Sequence, residues 1–114
     1  MSVHTFTTQH GDDEIVVTMG WDCPLQGFFM TIVKKTKTGE ADDEHNPVYL
    51  FNCLDQQDAH PREISGYLFE LGDQDIVIPQ EMLNELLSDS RHNIGNKIVD
   101  HRYVNGKYVR EQTL

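Results

Sequence analysis

No stretch of this chain approaches the roughly 20 consecutive apolar residues that a membrane-spanning helix needs. The opening Met1-Ser2-Val3-His4-Thr5-Phe6 has neither a basic nor an apolar leader segment. Cysteine is scarce: Cys23 and Cys53 are the only two, and no Cys-x-x-Cys occurs. A secreted disulfide scaffold normally carries more, so a reduced, cytoplasmic protein is expected. Positive charge is scarce too. Nine Lys and Arg stand against nineteen Asp and Glu, a net charge of −10. That sign opposes direct binding to nucleic-acid phosphates or to an anionic membrane, and leaves a basic partner open. The phosphate cradle Gly-x-Gly-x-x-Gly, the Walker loop and the Gly-x-Ser-x-Gly elbow are all missing, so no cofactor is expected.

What is present describes one ordinary domain spanning residues 1–114, with 38% hydrophobic and 25% charged residues. Val3 to Thr8 and Glu14 to Met19 are β-like. In the second run Ile15, Val17 and Met19 fall on one face. Phe28 to Val33 is apolar on both faces, as in a central strand. Thr36 to Asn46 is polar and reads as an exposed hairpin loop, and Val48 to Cys53 as a fourth strand opened by Pro47.

The period then changes. Ile64, Tyr67, Leu68 and Leu71 make a helical stripe, with Pro61 at the first position and Gly72 as the C-terminal cap. Ile76-Val77-Ile78 is a short extended piece. Pro79 opens a second helix that turns Met82, Leu83, Leu86 and Leu87 inward and ends between Ser88 and Asn93, with Val77 and Met82 as a hydrophobic staple. Lys97 to Val104 and Lys107 to Glu111 flank Asn105-Gly106, a strong two-residue hairpin signal that places Tyr103 opposite Tyr108. The predicted fold is α+β in the order β-β-β-β-α-α-β-β: a mostly antiparallel sheet of five to six strands with two helices packed on one face.

For a site, the connector Trp21-Asp22-Cys23-Pro24-Leu25-Gln26-Gly27 draws attention. It holds the only tryptophan, and its Pro and Gly exclude a regular helix or a central strand. Cys23 lies beside Asp22 and Pro24, whereas a nucleophilic thiolate wants a nearby cation or helix start and a base. His60, His92 and His101 are candidate bases without a recognised spacing. Cys23, Cys53, His60 and His101 are too dispersed for a typical zinc site, and Glu40 to Asn46 lacks the calcium-loop pattern, so no metal is expected. Phe69 lies off the inward stripe of the first helix. Trp21, Asp22, Cys23, Leu25 and Phe69 are therefore the expected binding residues, with Trp21 outward-pointing as the anchor of an interface. The function expected is a non-enzymatic interaction or regulatory module that contacts another protein or a second copy of itself. The alternatives are an acidic inhibitor mimicking nucleic-acid charge, or a small enzyme using Cys23 or a carboxylate cleft.

Overall fold

A computed structural model describes residues 1–35 and 48–114. The expected hairpin loop over Thr36–Asn46 lies outside the described residues. The strands are β1 (Ser2–His10), β2 (Asp13–Asp22), β3 (Gly27–Lys35), β4 (Val48–Asn52), β5 (Lys97–Val104) and β6 (Lys107–Gln112). The helices are α1 (Ser65–Asp73) and α2 (Gln80–Arg91), and Cys53–Asp55 is a single 3-10 turn. The α+β order is the one expected from the sequence.

The six strands form one sheet in the order β4-β3-β2-β1-β5-β6. All neighbours are antiparallel except β1 and β5, which run parallel in the middle. Alternation explains the inner face. Phe6 of β1, Ile15, Val17, Met19 and Trp21 of β2, and Phe28, Met30 and Ile32 of β3 are buried. They pack against Ile64, Tyr67 and Leu71 of the α1 region and Met82 and Leu86 of α2. The reverse face holds the half-buried Thr5, Thr7, Val16, Thr18, Thr31 and Val33.

Asn105 and Gly106 take positive φ values of 51° and 78°, the conformation a tight hairpin turn requires. Tyr103 sits opposite Tyr108, as the two-residue loop dictates.

The first helix departs from expectation at both ends, whereas the second opens after Pro79 and ends at Arg91 as expected. The Pro61 carbonyl accepts from the Phe28 amide at 2.7 Å, which ties residue 61 to the sheet, and α1 begins at Ser65. Gly72 lies inside α1, and Gln74 is the cap. Val77 is 85% exposed, so it makes no staple over the buried Met82. Leu87, placed inward by the stripe, is exposed.

Candidate functional site

The expected binding connector is shorter than its sequence suggests. The alternation of β2 continues past Met19, so Trp21 falls on the inner face with Ile15 and Val17 and is only 5% exposed. Its ring meets Phe28 edge-on at 5.0 Å, and its indole N–H donates to Asn93 Oδ1 at 2.9 Å. The expectation of an outward-pointing Trp21 is thus corrected: the indole is a core residue whose one polar atom is satisfied. Asp22 is buried as well, and its carboxylate accepts from the Leu25 amide at 3.2 Å. The turn proper is Cys23–Gln26, with Leu25 exposed at its tip.

The Cys23 thiol donates to the Ile94 carbonyl at 2.9 Å and to the Asn93 carbonyl at 3.2 Å. Both partners are carbonyl oxygens, and none of these contacts supplies the cation or base that activates a thiol nucleophile. Phe69 is 77% exposed on the outer face of α1. The connector and Phe69 therefore do not make one aromatic patch around Trp21.

The structure assembles a different constellation, built from residues that sequence spacing does not connect. His4 of β1, His101 of β5 and Asp89 of α2 are all buried. The parallel pairing sets Phe6 beside His101 and His4 beside Val99, so the two imidazoles become diagonal neighbours on the inner face. Their rings stack at a centroid distance of 5.1 Å. His4 Nε2 lies 2.6 Å from Asp89 Oδ2, His4 Nδ1 lies 2.8 Å from His101 Nε2, and His101 Nδ1 lies 2.6 Å from the Tyr108 hydroxyl.

The donor direction follows from the terminal acceptor. An ionised Asp89 only accepts, so His4 Nε2 carries a hydrogen. Every polar atom along this wire has a partner.

A charge ladder continues from Asp89. Lys97 Nζ donates to Asp89 Oδ1 at 2.8 Å and to Glu85 at 2.9 Å, and Arg110 donates to Glu85. Alternating signs hold each member in its charged form. Burial pushes the Asp89 carboxyl up, but hydrogen bonds from His4, Lys97 and Ser2 outweigh it and leave the group below the usual range. Burial also opposes ionisation of Glu85, yet Arg110 and Lys97 bring it down to about 2. Lys97 loses to burial and gains more from Asp89 and Glu85, so its ammonium is held above the ordinary value. His101 goes the other way. Burial first, and the neighbouring His4 second, depress it from 6.5 to about 4, so it is neutral at physiological pH.

No protein-family model matches the chain, and comparisons with curated proteins and with solved structures return no match either. The chemistry of the site must therefore be read from its geometry alone. The wire links a buried carboxylate to a half-buried phenol through two imidazoles. It is poorly suited to nucleophilic work at Tyr108. Burial and the nearby Glu85 and Glu81 raise that hydroxyl above its ordinary value, away from the phenolate. Neither of the clefts lined by residues of α1 includes a member of the wire. Among the described residues no group of three or more His, Cys, Asp or Glu is placed to hold a metal ion. What the constellation does is bolt α2 to the β1–β5 seam and to β6.

The sequence carried a signal for it. His4 alternates inward between Ser2 and Phe6, and His101 falls two residues after the buried Val99. Asp89 lies three residues after Leu86 and seven after Met82, on the buried stripe of α2. A titratable residue at an inward position is the informative exception in any such pattern.

Proposed function

We propose that this chain is a non-enzymatic protein-interaction module that pairs through the open flank of β4. The contrast between the two sheet edges carries this reading. β6 bears Lys107, Arg110 and Glu111, charges of the kind that discourage edge-to-edge pairing. β4 reads Val-Tyr-Leu-Phe-Asn without a charge, and Val48 and Tyr49 are exposed. No described strand pairs with its outer flank. An extended segment added there would be held by main-chain hydrogen bonds. A second copy satisfies the geometry: antiparallel pairing of β4 with itself sets no like charges opposite one another. Exposed Leu25 and Phe69 give further apolar surface to a larger partner. Cys23 and Cys53 are both free, which suits a reducing compartment such as the cytoplasm.

Mimicry of nucleic-acid charge has less support. Asp22 and Asp89 are buried, and Asp13, Glu14, Glu85, Asp100 and Glu111 are each engaged by a described cation.

Sedimentation equilibrium from micromolar to millimolar protein tests the interaction reading. The wild type is expected to dimerise, and the double variant Val48→Lys, Tyr49→Lys to remain monomeric with an unchanged far-UV spectrum. A strictly monomeric wild type overturns self-pairing, and a dimer indifferent to the two lysines overturns the assignment to β4.

A further inference from the structure

The basic side chains of this acidic chain are unevenly engaged. Lys34, Lys35, Lys97, Arg102 and Arg110 each contact a carboxylate. Among the described residues Arg62, Arg91 and Lys107 are in no ion pair, and the two arginines line one cleft. That cleft lies between the start of α1 and the end of α2 and encloses about 500 Å³. Phe28, Ile64 and Leu87 supply its apolar wall, Ser65 and Ser90 its hydroxyls, and Glu63 its single acid. The size is that of a small-molecule site, as is the combination of an apolar wall with a few convergent polar groups. The cleft on the other flank of α1, about 320 Å³, is lined by Asp58 and Glu70 and by no cation, so the positive charge is particular to one side of the helix.

We propose that the cleft between α1 and α2 binds a small amphipathic monocarboxylate, its apolar body against Phe28, Ile64 and Leu87 and its carboxylate between Arg62 and Arg91. Guanidinium forks match a carboxylate in shape and charge. A net charge of −10 repels anions at long range, so an anion that does bind must be recognised at close quarters by these two side chains. Glu63 sets the limit on charge: it opposes a second anionic group, which selects one carboxylate on an apolar chain over a dicarboxylate or a phosphate dianion. The site is separate from β4 and holds whether or not the chain pairs there.

The molecule contains its own reporter. Trp21, the only tryptophan, touches Phe28 from the core side. Decanoate, titrated below its micellar concentration, is expected to change Trp21 emission with single-site saturation. Decanol, the same length without the charge, is expected to bind at least about tenfold more weakly. Arg62→Glu and Arg91→Glu each lie on exposed side chains, so the urea midpoint should stay in place while decanoate affinity falls about tenfold or more and the dependence on salt weakens. Arg62→Lys and Arg91→Lys, which keep the charge and lose the fork, are expected to fall between. Three results overturn the proposal: no saturable response to decanoate, equal affinity for decanol, or an affinity that survives both charge reversals.

Discussion

His101→Gln should remove a defined part of the acid sensitivity of this protein. Unfolded, His101 takes up a proton as pH falls through about 6.5. Folded, it resists until about 4. Between those limits the unfolded chain binds more protons, so stability rises with pH and is lost as pH falls from about 6.5 to about 4. One proton corresponds to about 1.4 kcal/mol per pH unit. Over about 2.5 units, this single side chain accounts for about 3 kcal/mol. The full figure applies because the imidazole has no solvent exposure. Glutamine keeps one donor and one acceptor for His4 and Tyr108 but does not titrate. Glu85 and Asp89 also contribute, but both are depressed carboxylates. Their stabilisation is present above the ordinary carboxylate range and is lost below it, at the acid end of the window and beyond. They are unchanged in the variant and cancel in the difference. Urea unfolding followed by Trp21 emission at a series of pH values gives the two profiles. The wild-type advantage over His101→Gln should shrink by about 3 kcal/mol between pH 7 and pH 4. Parallel profiles through that window would refute the assignment of a neutral, buried His101.

Three further outcomes are expected. Asp89→Ala leaves His4 and Lys97 without their acceptor and should cost about 3–5 kcal/mol in chemical denaturation, and a loss below about 1 kcal/mol would mean the ladder is not a bolt. A Cβ on Gly20 would lie 1.9 Å from the Ser2 carbonyl oxygen and 2.4 Å from Phe29 Cζ, so Gly20→Ala should cost about 1–3 kcal/mol; Gly66→Ala in α1, where nothing lies within 4 Å, should gain up to about 1 kcal/mol, and calorimetry of the pair checks both signs. Trp21→Ala should destabilise by about 3–5 kcal/mol while Phe69→Ser stays within about 0.5 kcal/mol of wild type, a difference that thermal melts resolve directly.

The strands and the terminal hairpin were legible in the sequence because their information is local. Ile15, Val17 and Met19 announce one face of β2, and Asn105-Gly106 fixes the pairing of Tyr103 with Tyr108. Reading the same alternation two residues further would have buried Trp21. The Pro24 and Gly27 that follow carry a loop signal strong enough to mask it. The start of α1 was misplaced for a tertiary reason: Pro61, a good first helical residue in isolation, has its carbonyl claimed by the Phe28 amide. The constellation of His4, Asp89 and His101 was out of reach because it depends on which strand lies beside β1, and nothing local specifies that β5 does so in parallel. Its members were visible singly, as polar residues on apolar stripes. Phe69, off the inward stripe of α1, is exposed.

The parallel seam between β1 and β5 has a consequence for how the molecule comes to be. During synthesis β1 to β4 can form a meander as soon as they emerge, but one flank of β1 has no neighbour until residues from Lys97 onward are made. Throughout that interval His4 faces a half-built interior without His101, the partner that β5 supplies. Closing a loop of this length is the slow, entropically costly part of assembling such a topology. The centre of the finished sheet is thus its last join, and a nascent chain halted before β5 would display there a bare strand flank open to chaperones or to neighbouring nascent chains.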